Sequence, residues 1–133
     1  MIVVDTSAVV AIIRKEPGRR QFLERLADAV DPKMSAVTWM ESQMVVFSRL
    51  GEHGLTVLRQ LKTSAGVDIV PVSSELADLA FAAFRRFGKG RHPASLNFGD
   101  CFAYALSKQL QQPLLFKGED FARTDAEPAI ALS

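Results

Sequence analysis

Four acidic residues lie at points where the sequence predicts that strands end or helices begin. They are Asp5, Glu41, Asp100 and Asp120. In a sheet of parallel strands, ligands bind at the carboxyl ends of the strands, so we expect residues at these points to lie close together. Carboxylates that meet in one place repel each other unless a cation lies between them. The positions therefore predict a cation site at one edge of a sheet.

The chemistry of the ligands indicates which cation this would be. Hard carboxylate oxygens suit Mg²⁺ or Mn²⁺. His53, His92 and the lone Cys101 do not form a set of ligands that would suit zinc. A divalent ion held by carboxylates supports in-line attack of water on a phosphodiester, because it lowers the pKa of bound water and stabilises charge on the phosphoryl oxygens.

Each acid taken alone also has a structural explanation. Thr38 and Asn97 are each followed three positions later by one of the acids, as in a capping box. Asp5 would cap the first helix, and Asp120 would form an Asx turn. The metal-site interpretation therefore depends on the convergence of all four acids.

The elements that must position these acids alternate along the chain. Strands are predicted at 2–4, 34–37, 68–72 and 114–116, with 129–132 as a candidate for a last one. Helical patterns cover 7–15, 19–29, 39–50, 55–64, 75–87 and 98–111. This order predicts right-handed βαβ crossovers. We expect an α/β protein with three layers, α/β/α, around a central parallel sheet.

Length and composition favour a single domain over residues 1–133. Apolar residues make up 48% of the chain, and 16 basic residues nearly balance 15 acidic ones, so attraction to nucleic acid must come from the distribution of charge. The N-terminus reads as a strand and not as a signal peptide, and no apolar stretch approaches the roughly 20 residues that span a bilayer. With a lone cysteine, these features predict a cytoplasmic protein with no membrane contact.

Three segments carry a resemblance to a known family. Residues 3–8 (VVDTSA) resemble the opening of a PIN domain, with its acid after the first strand. Residues 92–105 (HPASLNFGDCFAYA) resemble the central motif of VapC toxins, and 114–121 (LLFKGEDF), followed by Thr124 and Asp125, resemble their closing motif. The likeness extends over essentially the whole chain.

The resemblance implies a PIN fold, a homodimer and a VapB-type antitoxin as partner. It also implies an endoribonuclease that uses Mg²⁺ or Mn²⁺ and leaves a 3′-hydroxyl and a 5′-phosphate. The acidic set of the family corresponds to the four acids above. The residues that would support them are Thr6 or Ser7, holding Asp5 or a metal-bound water, and Asn97, orienting the acids. Asp125 would either extend the metal site or cap the turn before Pro128.

Basic residues cluster just ahead of Asn97 and indicate RNA contact. They are Arg85, Arg86, Lys89 and Arg91, with Lys117 near the predicted site as a further candidate. A basic loop beside an acidic metal site suits a phosphate backbone. The alternative is a solvated helix end whose cations complement the helix dipole.

Apolar residues of the first three helices supply the core, and any that remain exposed would form a groove for the antitoxin. The methionines of the third helix suit such an adaptable surface. Trp39 is assigned either to a dimer contact or to the core.

Other functions fit the sequence less well. A haloacid-dehalogenase-type phosphatase needs a second Asp two positions after Asp5, where Ser7 stands, and a receiver domain needs several acids after its first strand. A catalytically silent PIN-like binding module remains the main alternative, although such a module is expected to lack one or more of the four acids.

Overall fold

Four short parallel strands form the centre of the protein. The structure is a computed structural model that describes residues 1–132. The strands are β1 (Val3–Val4), β2 (Lys33–Ser35), β3 (Asp68–Val70) and β4 (Leu114–Leu115), in the spatial order β3-β2-β1-β4. Val3 pairs with Lys33 on one side and with Leu114 on the other. The first strand is therefore central, and the residues that directly follow it lie between the ends of β2 and β4.

Helices cover both faces of the sheet. They are α1 (Thr6–Ile13), α2 (Arg19–Asp28), α3 (Ala36–Ala65), α4 (Ser74–Phe87) and α5 (Phe98–Leu110), followed by a 3₁₀ turn at Phe121–Arg123. Side chains of a strand alternate between its faces. Val3 accordingly packs with residues of α4 and α5, whereas Ile2 and Val4 pack with residues of α1, α2 and α3. The three-layer α/β/α fold predicted from the sequence is confirmed.

The long helix α3 differs from the sequence prediction at its start. Ser35, and not Thr38, is its N-cap, because the Ser35 Oγ accepts a hydrogen bond from the Thr38 N–H at 3.1 Å. Strand β2 thus ends two residues earlier than predicted, and the capping box proposed for Thr38 and Glu41 is wrong. Glu41 lies in the second turn of the helix, where its side chain is available for other contacts.

The middle of α3 also differs from the prediction. The two helices expected at 39–50 and 55–64 form one element with a kink at Gly51, whose φ of 66° and ψ of −156° are not helical. Glycine adopts this positive φ without the steric cost that a Cβ imposes. Trp39 lies against the apolar cluster between α1, α2 and α3, which supports its assignment to the core.

The C-terminal segment does not form the strand considered at 129–132. Within residues 1–132, a single bridge between Leu114 and Pro128 connects this segment to the edge of the sheet. Pro128 has no N–H to donate to a ladder, which limits pairing at this point. No helix within residues 1–132 is long and apolar enough to cross a membrane.

Candidate active site

A cavity of about 300 Å³ opens beyond the carboxyl end of β1. Three of the four predicted acids line it: Asp5 directly after β1, Glu41 from α3 and Asp100 from the first turn of α5. The other lining residues are Thr6, Ser7, Val10, Glu16, Val45, Arg49 and Lys117. The strand order thus brings together residues that lie almost 100 positions apart in sequence.

Asp5 is the most deeply placed of the acids, with only 3% of its surface exposed. It is the N-cap of α1, as predicted, and its Oδ2 accepts hydrogen bonds from the Ser7 N–H at 3.0 Å and the Ser7 hydroxyl at 2.6 Å. Its Oδ1 is the only buried side-chain oxygen or nitrogen without a hydrogen-bond partner among residues 1–132. Burial raises the pKa of Asp5 to about 6, and the nearby charge of Glu41 adds to this effect. An unpartnered, buried carboxylate oxygen is a suitable ligand for a cation.

Ser7 connects Asp5 to the last strand of the sheet. Its Oγ accepts a hydrogen bond from the Lys117 N–H at 2.9 Å while its hydroxyl donates to Asp5. The carboxylate of Asp5 is therefore oriented by a chain of two hydrogen bonds that starts on the backbone after β4. Ser7 thus contacts Asp5, the acid that it is predicted to support.

Glu41 is oriented by Thr6 and fits against Gly99. The Thr6 hydroxyl donates a hydrogen bond to Glu41 Oε1 at 2.6 Å. A Cβ placed on Gly99 would lie 2.5 Å from Glu41 Cδ and 2.7 Å from Oε1, far inside van der Waals contact. Gly99 was not among the residues predicted from the sequence, although a glycine in the first turn of a helix is a signal of close approach.

Asp100 is held by the capping box predicted at the start of α5. Its backbone N–H donates to Asn97 Oδ1 at 2.9 Å, and its Oδ2 accepts from the Asn97 N–H at 3.0 Å. Burial raises the pKa of Asp100 to about 7 despite this hydrogen bond, and the charges of Asp5, Glu41 and Asp120 raise it further. The four predicted acids are therefore close enough for their charges to act on one carboxyl group.

Asp120 is the most peripheral of the four. It is exposed, precedes the 3₁₀ turn and does not line the cavity. Among residues 1–132, no three His, Cys, Asp or Glu side chains come together as a group that could hold a metal ion. The reason is visible at two positions, since Glu41 is turned to Thr6 and Asp100 to the N–H of Asn97.

The composition of the site nevertheless fits a hard divalent cation. All the candidate ligands are carboxylate oxygens, one of which is buried and unpartnered. Burial and mutual repulsion raise the pKa values of Asp5 and Asp100, and a cation would relieve both effects.

Asp125 lies outside the cavity and binds other residues. It accepts a hydrogen bond from the Tyr104 hydroxyl and pairs with Lys108 at 3.2 Å and Arg86 at 3.4 Å. Burial would raise the pKa of Asp125, but the hydrogen bonds from Tyr104 and Lys108 outweigh it, so the pKa is lowered. These contacts attach the C-terminal segment to α4 and α5.

The predicted basic residues are distributed over two places. Arg86 pairs with Asp125, and the Arg91 guanidinium lies 5.7 Å from the centre of the Phe84 ring. Arg85 and Lys89 are exposed, and none of these four lines the acidic cavity. Lys117 does line it, with its Nζ 3.1 Å from Glu16 Oε1.

Comparison with known proteins decides the family. The family model described as PIN domain matches residues 2–127. Ribonuclease VapC of Mycolicibacterium smegmatis is 48% identical over 124 residues, covering 93% of this chain and 96% of that protein. The chain belongs to the VapC family of PIN domains. The resemblance noted in the sequence is confirmed, and the phosphatase alternative is wrong.

Other VapC proteins are similar in sequence or in fold. Ribonuclease VapC30 of Mycobacterium tuberculosis is 46% identical, over 93% of this chain and 95% of its own. The crystal structure of VapC20 of the same species, described as a sarcin–ricin loop cleaving toxin, has a TM-score of 0.77 at 16% identity, covering 95% and 96% of the two chains. VapBC2 of Rickettsia felis, bound to a DNA fragment from its promoter, has a TM-score of 0.72 at 17% identity, with 96% of each chain covered. These structural likenesses support the PIN fold of the VapC family.

Proposed function

We propose that this chain is a divalent-metal-dependent endoribonuclease and the toxin of a VapBC toxin–antitoxin pair. The observation that carries the proposal is the buried, unpartnered Oδ1 of Asp5 on a cavity shared with Glu41 and Asp100. The names of the relatives support RNA as the substrate, because they are called ribonucleases. Such a substrate would place the protein in the cytoplasm.

Asp5, Glu41, Asp100 and Asp120 would hold Mg²⁺ or Mn²⁺. When bound, such an ion lowers the pKa of a coordinated water and stabilises negative charge on phosphoryl oxygens. The supporting residues would keep the ligands oriented, which reduces the reorganisation needed on binding. They are Ser7 for Asp5, Thr6 for Glu41 and Asn97 for Asp100.

Basic residues on the cavity and on the loop before α5 would bind and position the RNA. Lys117 lies on the cavity, and Lys89 and Arg91 are exposed on the loop that leads to Asn97. Phosphate contacts of this kind orient a strand without reading its sequence. By analogy with the family, cleavage would leave a 3′-hydroxyl and a 5′-phosphate.

Two apolar surfaces support the proposed partners. One contains Met40, Met44 and Phe98, whose exposed fractions are 56%, 57% and 74%. The methionines of α3, which the sequence assigns to an antitoxin groove, lie on this surface; we assign it to a homodimer contact instead, since large exposed apolar patches mark interfaces and a second groove is available for the antitoxin. A cavity of about 540 Å³ between α1, α2 and the second half of α3 is lined by Ile12, Leu23 and Leu61 among others, and we assign it to a VapB-type antitoxin.

One observation favours the alternative of a catalytically silent binding module. Glu41 and Asp100 are each engaged by neighbouring groups, and no cluster of three ligands is formed in residues 1–132. A ribonuclease would cleave RNA when Mg²⁺ or Mn²⁺ is present, whereas a silent binding module would leave the RNA intact.

The test is cleavage of end-labelled total cellular RNA by antitoxin-free protein. The reactions contain Mg²⁺, Mn²⁺ or EDTA, with a folded Asp100→Asn variant in parallel. We expect discrete products that disappear with EDTA and in the variant. Identical faint patterns for both proteins would reveal a contaminant, and no cleavage by folded wild type with either ion would leave the binding module as the function.

A further inference from the structure

Arg49 shares the acidic cavity with three of the four predicted metal ligands, and it was not among the residues predicted from the sequence. Residues four apart on a helix lie on one face. Glu41, Val45 and Arg49 follow this spacing along α3, and all three line the cavity. Arg49 stands eight residues after Glu41, about 12 Å along the helix axis. Arg49 is exposed, whereas Asp5 is buried, so Arg49 lies at the rim of the cavity and Asp5 at its floor.

Arg49 differs from the other cation of the cavity in its contacts. Lys117 is paired with Glu16 at 3.1 Å. Arg49 forms neither an ion pair nor a side-chain hydrogen bond within the part of the chain that the structure describes. The cavity carries four carboxylates on its lining, yet none of them neutralises this guanidinium.

An RNA strand that enters this cavity meets a strong negative field from the acids. A divalent ion held by the acids would offset that field on the floor of the cavity, and a phosphate at the rim would need a second cation. An arginine suits such a position, because its planar guanidinium donates two parallel hydrogen bonds to a phosphate.

We propose that Arg49 binds an RNA phosphate that flanks the scissile phosphate, and so positions the strand over the acids. This inference rests on the proposed ribonuclease function and adds a substrate-binding residue to it. The alternative role for Arg49 is purely structural. It lies in the last turn before the kink at Gly51, where a positive charge stabilises the end of a helix segment.

The experiment compares Arg49→Gln and Arg49→Lys with a matched control, Arg59→Gln. Arg59 is also exposed on α3 but does not line the cavity. Binding of a short, labelled, single-stranded RNA of random sequence is measured in the Asp100→Asn background, over a series of salt concentrations. Cleavage of total RNA and the melting temperature are measured without that background substitution.

We expect Arg49→Gln to weaken RNA binding roughly tenfold, the loss of one charge-assisted contact. The slope of log K against log salt should fall in magnitude by about 0.7, the value for one phosphate contact on a single strand. Arg49→Lys should lie between wild type and Arg49→Gln, because it keeps the charge and loses the paired donors. Arg59→Gln should leave affinity, slope and cleavage at wild-type values.

Three results would overturn the proposal. Equal effects of Arg49→Gln and Arg59→Gln would show a general effect of charge. A lower melting temperature for Arg49→Gln with unchanged RNA affinity would show the structural role. An Arg49→Gln variant with the wild-type RNA affinity and the wild-type salt slope would show that Arg49 makes no phosphate contact. Because the binding assay needs no cleavage, it tests Arg49 even if wild type proves inactive, which would overturn the proposed function alone.

Discussion

The carboxylate of Glu41 occupies the space that a side chain at position 99 would fill. Gly99 directly precedes Asp100, so the missing Cβ lets one acid of α3 approach another at the start of α5. Glycine near a helix start costs up to about 1 kcal/mol relative to alanine. The space that Gly99 provides for the Glu41 carboxylate is a physical reason for a glycine at this position.

We therefore predict that Gly99→Ala abolishes cleavage and weakens Mn²⁺ binding while the melting temperature stays the same or rises. The Glu41 carboxylate is the flexible end of a side chain, so it can move away from the new methyl group without unfolding the protein. Isothermal titration with Mn²⁺, circular dichroism melts and RNA cleavage measure the three effects. Adding Glu41→Asp, which shortens the displaced side chain, should restore part of the Mn²⁺ affinity. If Gly99→Ala binds Mn²⁺ as wild type does, the space is not needed for the site.

Ser7→Ala should destabilise the protein by about 1–2 kcal/mol, because it removes a donor to Asp5 and leaves the Lys117 N–H without its acceptor. Urea unfolding measures this change. Cleavage should fall as well, since Asp5 loses its orientation. The control is Ser48→Ala, an exposed serine on α3, which should change neither property. Equal unfolding midpoints for the two variants would contradict the role of Ser7.

The metal-free protein should become less stable as the pH rises from about 4 to about 7. Burial raises the pKa of Asp5 to about 6 and that of Asp100 to about 7, so the native state binds protons more tightly than the unfolded chain does. The stability from these protonated groups is present at low pH and is lost as the pH rises through the native pKa values. We predict that Asp100→Asn without metal is more stable than wild type at pH 8 by about 1–3 kcal/mol, because solvent screens part of the effect on this half-buried carboxyl group.

Addition of Mg²⁺ should reverse this order at pH 8. The ion stabilises wild type by binding the ionised acids, and it should have little effect on Asp100→Asn. Thermal melts at several pH values, with and without Mg²⁺, measure both effects. A wild-type melting temperature that does not change on addition of Mg²⁺ at any pH would contradict a metal site at these acids.

Asp125→Asn should retain RNA cleavage but lower stability by about 1 kcal/mol at neutral pH. Asp125 lies outside the cavity, where it accepts a hydrogen bond from Tyr104 and pairs with Arg86 and Lys108. Its contribution is therefore expected to be structural. The pKa of Asp125 is lowered, so this stability is present above its unfolded pKa and is lost as the pH falls through the native value. The difference from wild type should therefore vanish in strong acid. Loss of cleavage with unchanged stability would instead place Asp125 in the metal site.

Sequence patterns predicted the parts of this structure that local chemistry determines. Short apolar runs showed the four strands, and the capping residues Asp5 and Asn97 were identified correctly. The start of α3 was misplaced because Ser35 and Thr38 are both good caps, and only the end of β2 decides between them. The sequence predicts two separate helices on either side of Gly51 for a similar reason, since a glycine can end a helix or bend it.

The contacts that orient the acids could not be predicted in the same way. Thr6 and Glu41 are 35 residues apart, and Ser7 and Lys117 are 110 apart. Such pairs depend on the strand order and on helix packing, which no local pattern encodes. Arg49 was accessible from the sequence through its helical spacing from Glu41, but only the cavity shows why that face matters.

The position of β4 beside β1 has a consequence for biosynthesis. Asp5 is translated long before β4, yet its N–H donates a hydrogen bond to the carbonyl of Leu115, and its partner Ser7 accepts one from the N–H of Lys117. The candidate site is therefore incomplete until β4 and the residues directly after it have left the ribosome. A nascent chain in which β4 has not yet been made holds Asp5, Glu41 and Asp100 without the strand that orients Asp5, so the fold itself delays assembly of the site.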